Sequence, residues 1–377
     1  MNVLVVNAGS SSLKLRLLGP DDAVLAAVDL GARAGRPDPD EVRTALGDLT
    51  RLGALRAVGH RIVHGGTAFV DPVVVTDRVT TELTALTALA PLHQPAALAA
   101  LAQVRAAVPD VVQVACFDTA FHARMPPAAT TYAVPAHWRD HLGVRRYGFH
   151  GLSHAYAARR AVALTGGRRV VTAHLGSGAS LAAVCDGVGI DTTMGFTPLE
   201  GLVMSTRSGT VDPGLLLWLQ TSVGMSADDL TDALFHRSGL FALAGTADMR
   251  AVVDRAAAGE PDGSLALAVY LHRLRAQIAA MAAALGGLDT LVFTGGVGER
   301  SPVVRAGAVA GLGFLGVAVD PARNEAHTGP DSASPDSASP DSDVTAAGSS
   351  VRTLIVEARE DLEIARGVRA CLATGQR

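Results

Sequence analysis

A strand, a tight Gly/Ser turn and a second strand occur twice in this chain, far apart, and that repetition constrains the fold most. At the start, Val3 to Val6 is an apolar run, Asn7-Ala-Gly-Ser-Ser-Ser has turn chemistry, and Leu13, Leu15 and Leu17 alternate with Lys14 and Arg16. The theme returns as the strand Val170 to Ala173, the turn His174-Leu-Gly-Ser-Gly-Ala-Ser and the strand Leu181 to Val184. Such a repeat points to an internal duplication. Each turn can aim backbone N–H groups at phosphate oxygens.

The other elements read as α/β. Residues 20–55 are polar and punctuated by Pro and Gly. A strand is expected from Ala57 to Val63, an Ala/Leu-rich helical segment from about Thr80 to Val108, and a strand from Val111 to Phe117 that ends at Asp118. Leu267, Leu271, Leu274, Ile278, Met281 and Leu285 recur at helical spacing, and Gly286-Gly287 ends that helix. A strand, Leu291 to Thr294, leads into the turn Gly295-Gly-Val-Gly298, and Ser301 with Pro302 starts another helix. A glycine loop between strand and helix is where a flat ligand can lie against backbone. Residues 329–350 repeat Pro-Asp-Ser-Ala-Ser and read as a flexible surface insertion without a core.

Composition excludes several classes. The 377 residues carry a net charge of −4 with pI near 6.3, so no basic excess points to nucleic acid or a membrane surface. The chain opens on a strand, and no signal peptide is expected. The most apolar long stretch, Leu265 to Leu285, is interrupted by His272, Arg273, Arg275 and Gln277 and cannot span a bilayer. Cys116, Cys185 and Cys371 are scattered, which fits a reducing cytoplasm and neither a disulfide scaffold nor a zinc site. Lys14 is the single lysine, and Asn2, Asn7 and Asn324 are the only asparagines. A compact ammonium retained in the first Gly/Ser turn region, where arginine serves everywhere else, points to phosphate.

The blocks NAGSSSLK (7–14), GHRIVHGG (59–66), FDTAFH (117–122), RYGFHGLSH (146–154), HLGSGAS (174–180), DTTMGFTPLEGL (191–202), TRSGTVDP (206–213), FTGGVGE (293–299) and EDLEIAR (360–366) resemble, in order, the signature segments of acetate kinases. The resemblance implies two ribonuclease-H-like domains of actin/sugar-kinase type with a nucleotide cleft between them. We assign 1–122 plus 356–377 to an N-terminal domain carrying the acyl side. Residues 123–355 are assigned to a C-terminal nucleotide-binding domain. It also implies ATP/ADP as co-substrate, Mg²⁺ or alternatively Mn²⁺, acetate as acceptor, a cytoplasmic homodimer, and no nucleic-acid or membrane partner.

The chemistry sets what the site must hold. A carboxylic acid with a pKa of roughly 4–5 is already an anion at pH 7 and needs no general base. It needs relief from repulsion by the γ-phosphate and in-line placement. By resemblance, Arg61 binds the acceptor carboxylate, Arg207 stabilises the transferring phosphoryl, His150 contacts it, and Asp118 is an active-site acid. Our physical reading is that Asp118 orients an arginine or a water. His93 is a further motif histidine. Asn7 and Glu360 resemble the Mg²⁺ holders. Lys14 and the turn His174, Leu175, Gly176, Ser177 and Gly178 are expected on the phosphates. Asp248, Met249 and Arg250, with Gly296, Val297, Gly298, Glu299 and Arg300, resemble the adenosine side. Val63, Leu92, Phe149 and Pro198 match an apolar pocket for the acyl methyl.

Ser177, Gln94, Arg300, Ser205 and Glu357-Ala-Arg359 depart from the family pattern and predict a weaker or altered nucleotide preference. Competing readings are a propionate or butyrate kinase with the same machinery, an actin-like ATP switch without acyl acceptor, and a non-catalytic relative. The Arg61/Arg207 pair argues against the switch, and the retained motif residues argue against the last.

Overall fold

Alternating apolar residues build two separate sheets in this computed structural model, which describes residues 1–9, 12–33, 36–91, 93–327 and 341–374. The chain divides into two units. The first comprises Met1–Ala123, Phe149–Tyr156 and Arg359–Arg377; the second comprises Arg124–Gly148 and Ala157–Ala358. The expected boundaries at 122/123 and 355/356 lie a few residues from these. The segment 149–156, which we had assigned to the second domain, belongs to the first unit.

The first unit holds β1 (Asn2–Ala8), β2 (Ser12–Leu18), β3 (Val24–Arg33), β4 (Arg36–Pro37), β5 (Leu55–Ile62), β6 (Val73–Val74) and β7 (Val112–Phe117). They form a sheet in the order β4-β3-β2-β1-β5-β7-β6. β1, β5 and β7 run parallel, while β2, β3, β4 and β6 are antiparallel to their neighbours. The second unit holds β8 (Arg169–Leu175), β9 (Ala179–Cys185), β10 (Val188–Thr192), β11 (Thr290–Thr294), β12 (Ser342–Asp343) and β13 (Arg352–Ile355). Their order is β10-β9-β8-β11-β13-β12, again with three parallel central strands and antiparallel flanks. Each unit is thus an antiparallel meander whose first strand starts a parallel run, the ribonuclease-H-like arrangement. β1 corresponds to β8, β5 to β11 and β7 to β13, which makes the sequence repeat a structural one.

Strand periodicity assigns the two faces of the first sheet. Leu4, Val6, Leu13, Leu15 and Val58 pack with Val42, Leu46 and Leu49 of helix Pro39–Arg51 and with Val104 of helix Gln94–Ala107. Val3, Val5, Ala57, Val114 and Cys116 pack with Ile364, Ala365 and Val368 of helix Glu360–Ala373. Gly59 makes that second contact close: a Cβ there would sit 2.6 Å from Ile364 Cγ2 and 2.7 Å from Val368 Cγ2. In the second sheet β8, β9 and β11 are almost wholly buried, as expected for strands covered on both sides. Helix Pro261–Ala284 packs on β8, β9 and β10 and buries Tyr270, Leu274, Ile278 and Met281.

Four readings change or gain detail. Residues 20–55, read only as polar and punctuated by Pro and Gly, contain β3, in which Ala26, Val28 and Leu30 line one face, and a helix whose N-terminus Asp38 caps, accepting from Asp40 N at 2.8 Å. The helical segment after Thr80 breaks into Asp77–Ala85, a 3₁₀ turn Leu86–Leu89 and Gln94–Ala107, because Pro91 and Pro95 interrupt it. The turn at 295–298 is the helix Gly295–Arg300. The 329–350 insertion is built in its last part. β12 pairs with β13, Val344 is fully buried, and Asp320 N donates to Val344 O at 2.8 Å. Residues 328–340 lie outside the described residues. Among the described residues no helix is long and apolar enough to cross a membrane.

Candidate active site

The same alternation that buries Val3 and Val5, Ala57 and Gly59, and Val114 and Cys116 delivers Asn7, Arg61 and Asp118 next on that face. Val6 pairs with His60 and His60 with Ala115, so these polar residues emerge side by side at the carboxyl ends of the parallel strands. Asp118 N continues the ladder by donating to Ile62 O at 3.0 Å. Strand carboxyl ends are where open α/β sheets bind ligands.

Arg61 donates to Asp118 from Nη2 at 2.7 Å and from Nε at 3.1 Å, and from Nη1 to Asn7 Oδ1 at 3.3 Å. Asn7 Nδ2 donates to Glu360 Oε2 at 2.8 Å, and Glu360 lies 3.9 Å from Arg61 Nε. Asp118 is fully buried, so its carboxylate needs this guanidinium. Burial works against the charge of Arg61, but Asp118 and Glu360 outweigh it and raise its pKa above the ordinary arginine value. Of the two partners expected for Asp118, an arginine or a water, the structure places Arg61 against its carboxylate.

His150 has φ 56°, left-handed backbone that is uncommon for a non-glycine residue. Two contacts hold it there. Gly151 N donates to Asp118 O at 2.9 Å, and a Cβ on Gly151 would lie 2.1 Å from that oxygen. His122 Nε2 donates to Phe149 O at 3.0 Å. Phe149 also meets the His64 ring edge-on at 5.6 Å. Burial lowers the pKa of both His122 and His64 to about 4, so both are neutral at pH 7. Gln94, fully buried, accepts from His64 N and donates to His64 O. Lys14 is exposed and stands opposite Asn7 on β2, on the same sheet face. Its other cross-strand neighbour, Asp29, pairs with Arg16 instead.

In the second unit, Arg207 donates to Pro198 O at 2.8 Å and lies 3.6 Å from Met204 Sδ. Among the described residues no carboxylate pairs with it, and burial lowers its pKa. Its segment is stapled to residues 235–241 by Ser238 N to Thr206 O at 2.9 Å, Leu240 N to Met204 O at 3.0 Å and Phe241 N to Ser205 O at 2.9 Å. Ser205 N also donates to Ser177 O at 3.2 Å, which ties the turn 176–178 to the Arg207 segment. Gly295, at φ 78°, lies against Leu175 O, where a Cβ would come within 2.8 Å. The turn after β8, the loop after β11 and the Arg207 segment therefore meet within this unit.

The remaining expected residues are placed as follows. Glu299 is buried, and its Oε1 accepts from Gly295 N at 2.8 Å and Ala358 N at 2.9 Å, which fixes the loop rather than presenting a carboxylate. Asp248 caps helix Met249–Ala257 and pairs with Arg250 at 3.0 Å, while Met249 is buried. Arg300 is exposed. Val63 and Phe149 are buried in the first unit and Pro198 in the second; Leu92 lies outside the described residues.

Sequence reasoning missed Arg305. It is fully buried and donates to Asn324 Oδ1 at 2.7 Å and to the carbonyls of Gly298 (3.0 Å), Glu299 (2.7 Å), Asn324 (2.7 Å) and His327 (2.8 Å). It pins the end of helix Gly295–Arg300. The retained Asn324 was the available signal. It missed His122 as a support, though His122 closes the FDTAFH block, and it named Gln94 only as a departure from the family pattern.

Among the described residues no group of three or more His, Cys, Asp or Glu could hold a metal ion. Asn7 and Glu360 together offer one amide oxygen and one carboxylate. That set fits a magnesium ion, which keeps most of its water, and not an all-protein cage.

The model of the acetokinase family matches residues 44–366. The acetate kinase of Clavibacter michiganensis subsp. michiganensis is 44% identical over 98% of this chain and 99% of its own. The crystal structure of Porphyromonas gingivalis acetate kinase superposes with a TM-score of 0.86 at 35% identity, covering 98% of this chain and 99% of that one. A propionate kinase from Francisella tularensis superposes at 0.87 with 32% identity, over 97% and 98%. With its two ribonuclease-H-like sheets matched from end to end by these relatives, the chain belongs to the acetokinase family.

Proposed function

We propose that this chain is an acetate kinase, moving the γ-phosphoryl group of ATP reversibly onto a carboxylate oxygen of acetate. The observation that carries the reading is the contrast between its two arginines: Arg61 is fixed by Asp118 and Asn7, and Arg207 is aimed by neutral acceptors alone. A partly buried cation without a carboxylate partner is a stable place for an anion, and one whose charge is not already spent.

In the forward step an acetate oxygen forms a bond to the γ-phosphorus as the bond to the β-bridging oxygen breaks. The electron pair leaves on ADP, and no proton moves. Asp118 therefore serves as the orienter of Arg61 and not as a base. Arg61 presents its remaining N–H groups to the acceptor, Arg207 and His150 stabilise charge on the transferring group, and Lys14 and the turn 176–178 hold the other phosphates. Magnesium, held by Asn7 and Glu360 through water, would neutralise phosphate charge.

The likeness to a propionate kinase keeps a longer acid in view, since one methylene in an apolar pocket is worth only about 1–3 kcal/mol. A hydroxylamine trap with acetate, propionate and butyrate, with and without Mg²⁺, decides. Acyl hydroxamate should form fastest with acetate and only with Mg²⁺ and ATP; ATP hydrolysis without hydroxamate would overturn the assignment. A second copy of the chain belongs to the same reading. The uncharged helix Pro213–Thr221 supports it by leaving Leu215, Leu217 and Trp218 exposed. The free cysteines Cys116, Cys185 and Cys371 suit a cytoplasmic setting.

A further inference from the structure

Arg207 donates to the Pro198 carbonyl, and the loop that carries Pro198 is itself held by a network of side chains that have no role in the proposed transfer so far. Glu200 accepts from Tyr132 Oη at 2.5 Å on one oxygen and from Arg146 Nη2 at 2.8 Å on the other. Arg146 Nη1 also donates to the carbonyls of Thr192 (3.2 Å), Thr193 (3.3 Å) and Met194 (3.0 Å), and its guanidinium lies over the Tyr132 ring. Tyr132 Oη in turn accepts from Phe196 N at 3.0 Å. The backbone of Gly195 passes directly beneath: a Cβ there would lie 1.7 Å from Glu200 Oε2 and 2.1 Å from Tyr132 Oη. Both ends of the loop 195–200 are thereby fixed, with Pro198 between them.

We propose that Tyr132, Arg146 and Glu200 are positioning residues for the transfer step, aiming Arg207 through the Pro198 carbonyl while Arg146 neutralises the one carboxylate of that loop. This rests on the reading of Arg207 as the charge-stabilising arginine. An arginine anchored by a carboxylate would bring a compensating negative charge to the transferring phosphoryl. Anchoring it by a carbonyl keeps the full positive charge for the ligand, and the carboxylate that steadies the loop is turned onto a different guanidinium. Neither function needs Tyr132, Arg146 or Glu200 to touch a substrate.

The test is a double-mutant cycle on kcat. Tyr132→Phe and Glu200→Gln are each measured alone and combined with Arg207→Ala, with nucleotide Kd and melting temperature recorded for every variant. Each single variant should lower kcat at least about tenfold while nucleotide Kd stays within about twofold, and neither should lower kcat further once Arg207 is alanine. Losses that multiply onto Arg207→Ala, or single variants with unchanged kcat, overturn the proposal. Tyr132→Phe, which removes one hydroxyl, decides alone if Glu200→Gln does not fold. Near-normal kcat in Arg207→Ala itself would instead sink the catalytic reading of Arg207 on which the proposal stands.

Discussion

Arg61 meets a carboxylate through Nε and Nη2, whereas Arg207 meets a proline carbonyl and a thioether. In the proposed function this difference separates an arginine that binds the acceptor from one that stabilises charge. Replacing Arg207 with alanine should lower kcat by about three orders of magnitude, the scale of losing one preorganised donor, with ATP Kd nearly unchanged. Steady-state kinetics with equilibrium nucleotide binding checks this, and a loss carried by Kd would place Arg207 in ground-state binding. Ser177 and Arg300 are exposed at the segments expected to meet the nucleotide. Ser177→Asn and Arg300→Asn should each tighten ATP binding or shift the ATP/GTP ratio, as isothermal titration would report; unchanged values would make these departures neutral. At this scale the motif residues were legible through their resemblance to acetate kinase segments, which the chemistry of an anionic acceptor then explains. Arg305 and Tyr132 were not, since a buried arginine and a network tyrosine look like any surface arginine and core tyrosine until their acceptors are known.

Elements position these residues through close approaches that glycine permits. Gly59 lets helix Glu360–Ala373 lie against β5, and that helix begins at Glu360, the partner of Asn7. Gly59→Ala should push the helix outward, lower the melting temperature, and raise the Mg²⁺ concentration needed for half-maximal activity more than it raises acetate KM. The destabilisation should be about 1–3 kcal/mol, the usual cost of overpacking. Denaturant unfolding and a Mg²⁺ titration of activity test it; an unperturbed Mg²⁺ requirement would uncouple helix placement from the metal. Strands were readable from alternation and apolar runs. β3 was not, because alanines and Gly31 dilute its period. Helix Pro39–Arg51 was missed although Asp38, Pro39 and the spacing of Val42, Ala45, Leu46 and Leu49 signal it.

The whole chain is a doubled fold, and the duplication was visible in the two Gly/Ser turns before any strand pairing was known. Strand order, and the transfer of 149–156 to the first unit, depend on long-range pairing that no local pattern carries. One consequence belongs to the first unit as a body. His60, His64 and His122 are buried there, and burial lowers each pKa to about 4 from the ordinary 6.5. Because the unfolded chain binds those protons more readily, this contribution to stability is complete above pH 6.5 and is lost as pH falls toward 4. Each histidine contributes about 1.4 kcal/mol per pH unit within that window. Unfolding midpoints measured from pH 7.5 to 4.5 should fall steeply, and His60→Gln should flatten the slope; a flat profile in the native chain would contradict their neutral burial.

The central claim is that the carboxylate itself receives the phosphoryl group. Acetate labelled with ¹⁸O in both carboxylate oxygens, converted with ATP and then cleaved by hydroxylamine, should release inorganic phosphate carrying one ¹⁸O, visible as an isotope shift in the ³¹P spectrum. Unlabelled phosphate would mean that acetate oxygen never bonded to phosphorus, and the account would fail.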